Sequence, residues 1–219
     1  MKDRADYARK GIARGRPLIA VAFHDGVVFV SENPSRSLHK TSEIYDRIGF
    51  AAVGRYNEFE ALRVAGIRLA DIKGFQYARD DVSAKPLANA YSQALGQSFI
   101  GETKPFEVEL VIAEIAPANP GDTDATVDLF HITYDGSLND SHRFVVIGGD
   151  TEPIRALLDE RFETGLSRDQ VITLACEVLA ETTQHTLMAE TLEVSGLDRT
   201  RQRRNFFRLN TQDLTPLLR

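Results

Sequence analysis

This 219-residue sequence has one cysteine, no tryptophan, two methionines and no apolar run long enough to cross a bilayer. A single cysteine, Cys176, excludes an intrachain disulfide framework and any metal site built from this chain's cysteines alone. Runs such as Val27-Val28-Phe29-Val30 fall far short of the roughly 18 residues that would cross a membrane. The first twenty residues are too charged for a secretory signal. No glycine-rich phosphate loop of the Walker type occurs, and no Gly-x-Ser-x-Gly elbow. The histidines at 24, 39, 131, 142 and 185 are scattered, with no pair at zinc-ligand spacing on a helix, so neither metal nor cofactor is expected. What remains is a soluble, cytoplasmic globular protein.

Negative charge dominates, with a net of −6, but it is unevenly spread. Lys2, Arg4, Arg9, Lys10, Arg14 and Arg16 face only Asp3 and Asp6 in the first sixteen residues. A second basic cluster holds Arg199, Arg201, Arg203, Arg204 and Arg208. The acidic total, and a first cluster with Tyr7 as its one aromatic, argue against a nucleic-acid surface. Solvated faces or protein–protein contacts are the expectation.

Periodicity orders the chain. Residues 3 to 14 read as a helix with Ala5, Ala8 and Ile12 on one face, weakened by Gly11 and ended by Gly15. Leu18 to Phe23, Val27 to Val30, Ser42 to Tyr45 and Ile48 to Val53 read as strands, the first two joined at His24-Asp25-Gly26. Asn57 is expected to cap a helix with Glu60 three residues on, its inner face marked by Phe59, Leu62, Gly66 and Leu69. A second helix carries Leu87, Tyr91, Ala94, Leu95 and Phe99. Strands resume at Phe106 to Ile115, Val127 to Tyr134 and Phe144 to Ile147, with an exposed loop from Pro117 to Asp124. Two more helices follow, one from Thr151 with Pro153 in its first turn, one opened by the capping box Ser167-x-x-Gln170. Thr191 to Leu197 and Phe206 to Leu209 close the strands, and Leu214 to Leu218 reads as a last short helix. Paired helices alternating with strands predict two packed sheets with helices outside, a four-layer α/β arrangement. With no internal repeat and no linker, one domain over 1–219 is expected. A chain of this size buries roughly 70% of its unfolded surface and can fold unaided.

Nothing in these residues announces chemistry. Cys176 lies within the apolar stretch Leu174 to Leu179 and reads as a small core residue. The carboxylates show no privileged pair.

One resemblance goes further. Tyr7-Ala8-Arg9-Lys10-Gly11-Ile12-Ala13-Arg14-Gly15, Asp25-Gly26-Val27-Val28-Phe29-Val30-Ser31-Glu32-Asn33-Pro34-Ser35 and Tyr45-Asp46-Arg47-Ile48-Gly49-Phe50-Ala51-Ala52-Val53-Gly54 resemble proteasome α subunits of the actinobacterial type. Lys104 to Leu110, Ile132 to Ser137, Gly148-Gly149 with Thr151 to Ile154, and Arg203-Arg204-x-Phe206-x-Arg208 continue the match in order. The resemblance implies the αββα sandwich of N-terminal-nucleophile hydrolases, with the helix at 1–14 ahead of a sandwich over 15–219.

It also implies that this subunit is not itself an enzyme. Catalytic β subunits of this fold begin their first strand with a threonine freed behind a glycine. Its hydroxyl attacks while its own amine assists. Laying Gly15 on that glycine puts Arg16-Pro17 where the threonine would be, and Glu32 where β subunits carry an active-site aspartate. The implied role is a structural and gating subunit of a threonine endopeptidase complex. Seven copies would form the outer ring, dock on a ring of β subunits and guard the entrance to the proteolytic chamber. The helix at residues 3 to 14 would lie beneath a gating segment. It begins almost at Met1, so an open or undefined pore is expected.

The resemblance further implies pockets between neighbouring subunits that receive the C-terminal tails of a ring-shaped ATPase. Lys40 takes the place of the lysine that pairs with the tail carboxylate. Asp6, Arg9 and Gly15 match lining positions on the adjoining helix, and Gly54 matches the glycine at the strand end. The plainer account of Lys40 is a solvated surface lysine. For Asp6 and Arg9 it is an i,i+3 ion pair worth about 0.2–0.5 kcal/mol. The C-terminal arginines are expected at subunit contacts. Implied substrates are proteins tagged with a small prokaryotic ubiquitin-like modifier. Two other readings remain: a free-standing or β-like threonine hydrolase, which needs a nucleophile behind Gly15, and a basic-patch nucleic-acid binder, which needs salt-sensitive binding.

Overall fold

Leu18–Phe23 is apolar at all six positions, and such a strand is stable only if both faces of its sheet are covered. The computed structural model, which describes residues 2–117, 126–184 and 186–218, shows how they are. This strand, β1, pairs antiparallel with β2 (Gly26–Glu32) and with β8 (Phe144–Ile147). With β9 (Leu192–Asp198) and β10 (Phe206–Arg208) they form one sheet, ordered β10-β9-β2-β1-β8. A second sheet runs β3-β4-β5-β6-β7. Its strands are Thr41–Tyr45, Ile48–Gly54, Val108–Ile115, Val127–Ile132 and Leu138–Ser141.

Strand alternation sorts the apolar side chains into layers. Leu18, Ala20 and Ala22 of β1 meet Ala51, Val53, Val111 and Ala113 of the other sheet in a central layer. Ile19, Val21 and Phe23 point the other way, onto α4 (Thr151–Arg161) and α5 (Arg168–Thr183). Val108, Leu110 and Ile112 of β5 likewise face α2 (Tyr56–Gln76) and α3 (Ala84–Gly101). The result is the expected αββα sandwich. Helix α1 (Lys2–Ala13) feeds Ala8 and Ile12 into the central layer, and Arg4 lies over the Phe99 ring at 5.9 Å.

The capping box holds: Ser167 Oγ accepts from Gln170 N at 3.3 Å, and Gln170 Oε1 accepts from Ser167 N at 2.9 Å. Other local expectations need correction. Asn57 does not cap α2, because the helix already begins at Tyr56 and Arg55 occupies the cap without a side-chain bond. Glu60 turns to Arg63 instead, 2.8 Å from its Nε. Leu69 packs partly buried against the same cluster as Phe59 and Leu62, beside the fully buried Ala70, whereas Ala94 of α3 is exposed. Gly66 gives Tyr91 room to cross from α3, since a Cβ there would stand 1.8 Å from its hydroxyl, which donates to Leu62 O at 3.0 Å. Strand β7 was not expected. Its Leu-Asn-Asp-Ser carries no apolar alternation, and its pairing to β6 is backbone bonding at a sheet edge. The final segment is a short helix α6 (Thr211–Leu214) followed by a 3₁₀ turn over Thr215–Leu218. The expected loop beyond Pro117 and His185 fall outside the described residues.

Candidate functional site

Strand β2 outlasts its apolar stretch by two polar residues, Ser31 and Glu32, and the chain then makes an excursion over 33–40 before β3. Asparagine and serine close that excursion on itself. Asn33 Oδ1 accepts from Ser35 N at 3.1 Å, Ser35 Oγ accepts from Leu38 N at 3.0 Å, and Asn33 Nδ2 donates to Leu38 O at 2.8 Å. These are side-chain mimics of backbone turns. The loop returns Lys40 to the strands it left.

Lys40 is not a solvated lysine. Its ammonium donates to Ser31 Oγ at 2.8 Å, to Arg16 O at 3.1 Å and to Glu32 O at 3.3 Å. All three protons are used on uncharged oxygens. The Glu32 carboxylate is turned to the guanidinium of Arg16, 2.6 Å away. Burial lowers the Lys40 pKa from 10.5 to about 8. The carboxylates of Glu193 and Glu32 oppose that shift and Arg16 reinforces it. A sequestered cation whose protons rest on uncharged oxygens is suited to an incoming carboxylate, because exchanging one of those oxygens for an anion adds the attraction of opposite charges.

The other expected site residues are less closely joined. Gly15 ends the turn after α1, its N–H donating to Ile12 O at 2.9 Å, and precedes Arg16 directly. Gly54 closes β4 with φ of +115° and is linked to α1 through Glu107: Glu107 O accepts from Arg55 N at 3.0 Å, and the Glu107 side chain lies against Gly11. Asp6 is half-buried and Arg9 exposed. Among the described residues no ion pair joins them. Arg9 lies over the ring of Tyr134 at 5.9 Å. One chain therefore brings Lys40, Arg16 and Glu32 together, while Arg9 lies against Tyr134.

This geometry sits in a sandwich whose similarities are extensive. The family model described as Proteasome subunit matches residues 12–195. The chain belongs to the proteasome subunit family. A relative named proteasome subunit alpha from Kineococcus radiotolerans is 53% identical, covering all of this chain and 93% of its own length. A relative of the same name from a Nocardioides species is 54% identical over all of this chain and 85% of its own. One from Streptomyces scabiei, also so named, is 51% identical over all of this chain and 88% of its own.

In this proteasome-family chain the Ser31–Lys40 contact puts a hydroxyl beside an amine near the start of β1. Ser31 is fully buried, and its own proton goes to Pro17 O at 2.8 Å. A hydroxyl so spent, with no room for a substrate, is not placed to attack. Cys176 is buried on α5, and its thiol is pushed up to about 12 by that burial. It stays a neutral core group.

Sequence reasoning missed Glu193 and assigned Arg208 to subunit contacts rather than to this site. Glu193 lies on β9 with 5% of its side chain exposed, and accepts from Thr41, Asn33, the Lys40 backbone and Arg208. The signal was present: a carboxylate between Leu192 and Val194 in an apolar strand is tolerable only when partnered. Arg208 also changes the expectation for the C-terminal arginines. It donates to Glu193 Oε1 at 2.8 Å and Thr41 O at 2.7 Å, Arg204 donates to Glu43 at 2.7 Å, and Arg199 reaches Asp25 at 3.5 Å. These three find partners within the chain. No helix of the described residues is long and apolar enough to cross a membrane.

Proposed function

We propose that the chain is a non-catalytic α-type subunit of a proteasome core particle. The observation that carries this is a helix, α1, retained ahead of β1, with Arg16 at the position the family resemblance assigns to the nucleophile. Arginine offers no hydroxyl, and the preceding helix leaves no free amine there. The α-type names of the relatives support the same reading.

On this reading residues 1–219 are one subunit domain. Seven copies form the outer ring, dock on a β ring and control entry to its chamber in the cytoplasm. Lys40 receives the tail carboxylate of a ring-shaped ATPase that delivers tagged proteins. Gly15 and Gly54 shape the pocket floor, and Asp6 and Arg9 line it from the helix. The divergence of Arg9 from Lys40 within one chain suits a pocket whose walls come from two neighbours.

Intact-mass analysis and a fluorogenic peptide assay on the purified chain test the non-catalytic assignment. The full-length mass and no hydrolysis are expected. Loss of the first fifteen residues, or hydrolysis by the chain alone, would instead support the β-like hydrolase.

The Lys40 reading also fixes a pH dependence. Above about pH 8 the amine of the free pocket loses its proton, so tail-peptide affinity should fall by up to about tenfold per pH unit. Stability moves oppositely. Between about 8 and 10.5 the unfolded chain binds more protons at Lys40 than the folded one, so this residue's contribution to stability rises with pH. Titrating peptide binding from pH 7 to 9.5 reads the first effect. Affinity that stays level across that range would count against Lys40 as the receptor.

A further inference from the structure

Lys40 is useful only if its backbone is held at the right point, and the loop that carries it is eight residues of mostly polar chain. Its start is tied where Asn33 N donates to Thr191 O at 2.6 Å. Its end is held at two points, by Ala52 N of β4, which donates to Lys40 O at 2.9 Å, and by one side chain. Glu193 Oε2 accepts from the backbone N–H of Lys40 at 3.1 Å and from Asn33 Nδ2 at 2.6 Å, so a single oxygen grips both ends of the excursion. Oε1 accepts from Thr41 N at 3.1 Å, Thr41 Oγ1 at 2.6 Å and Arg208 Nη1 at 2.8 Å. His39 Nδ1 lies 3.7 Å from the same oxygen. In strand register Glu193 stands opposite Ser31, the residue whose hydroxyl accepts from the Lys40 ammonium. The same rung of the β2–β9 ladder therefore fixes where the Lys40 main chain starts and where its ammonium ends.

We propose that Glu193 is a positioning residue for the carboxylate pocket, setting through the Lys40 and Thr41 backbone the point at which the Lys40 ammonium is presented. This rests on the reading of Lys40 as receptor for a peptide's terminal carboxylate. Glu193 touches no ligand itself. Its charge repels a carboxylate directly but also helps keep the Lys40 ammonium protonated. At about pH 6, well below the Lys40 pKa, only the repulsion counts, so the readout is taken there and removal of the charge alone should strengthen binding. Positioning predicts the opposite sign. Glu193→Gln puts an amide NH₂ against a set of N–H and O–H donors, and at least one grip on the loop is lost.

The test uses rings assembled with the β partner and a fluorescent peptide bearing the activator's last residues, made with a free and with an amidated C-terminus. The readout is the ratio of the two affinities, which a general loss of stability would not move. Glu193→Gln should lower the free-to-amidated preference about tenfold, while assembly of the ring persists. Glu193→Asp keeps the charge but withdraws the carboxylate by one methylene, and should lower the ratio as well. It also carries the test if Glu193→Gln fails to assemble. A ratio that is unchanged or raised in these variants would overturn the positioning role. Lys40→Ala separates the two claims. If it abolishes the preference while the Glu193 variants keep it, only the positioning inference fails. If Lys40→Ala itself keeps the preference, the receptor reading fails.

Discussion

Lys40→Ala should abolish ATPase-stimulated protein degradation while leaving ring assembly intact. The ammonium is held by Arg16 O, Ser31 Oγ and Glu32 O, all uncharged oxygens. Ser31 keeps its bond to Pro17 O, and removing a cation whose burial lowers its pKa also removes a desolvation cost. Stability should therefore change by no more than about 1 kcal/mol. A tail carboxylate would lose a charged hydrogen bond worth about 1.5–3 kcal/mol, or roughly ten- to 150-fold in affinity at each pocket. Several tails engage together, so the losses compound. Lys40→Arg should not restore function, because a planar guanidinium cannot place three protons on the oxygens a tetrahedral ammonium reaches. The measurement is degradation of a folded, tagged protein with and without the ATPase, beside native gels of the assembled particle. Stimulated degradation equal to wild type would show that the pocket is elsewhere.

Gly54→Ala should destabilise the fold more than any exposed substitution. Gly54 combines φ of +115° with the end of β4, where a Cβ would stand 1.9 Å from Glu107 O and 2.9 Å from Val108 Cα. Both neighbours are backbone atoms, one in β5 and one in the residue just before it, and β5 is paired to β4 through Gly54 and Val108. Neither can rotate away as a side chain would. Either the last rung of the ladder opens or β4 and the start of α2 move together. The Arg55 N–H to Glu107 O bond goes with them. Backbone strain and a broken rung together cost about 3 kcal/mol or more, which lowers Tm by about 6–12 °C for a chain of this length. Gly101 serves as the control, since a Cβ there meets nothing within 4 Å. Thermal melts of the two variants should differ by most of that range. A Gly54→Ala protein melting with wild type would mean that the β4–β5 end relaxes without cost.

The four layers were legible because the strands carry their own evidence of burial. A strand apolar on both faces, as Leu18–Phe23 is, needs a second layer on each side. Helices arriving in pairs supply it. What lacked such a signal was missed. β7 is held by backbone bonds that any sequence could make. The start of α2 was misplaced because Asn57 and Glu60 satisfy a capping pattern that the chain does not use there. The site divides in the same way. Lys40 came from resemblance alone, since a lone lysine in a polar loop has no periodicity to mark it. Glu193 was readable as a carboxylate out of place, but its partners at Asn33 and Thr41 are some 150 residues away in sequence. Only the pairing of β9 with β2 brings them together.

Electron microscopy of the purified chain, alone and co-expressed with its β partner, tests the central claim most directly. The account predicts sevenfold rings that stack with β rings into four-layer barrels, the present chain forming the two outer layers. A monodisperse monomer that neither forms rings nor joins a β ring would contradict it.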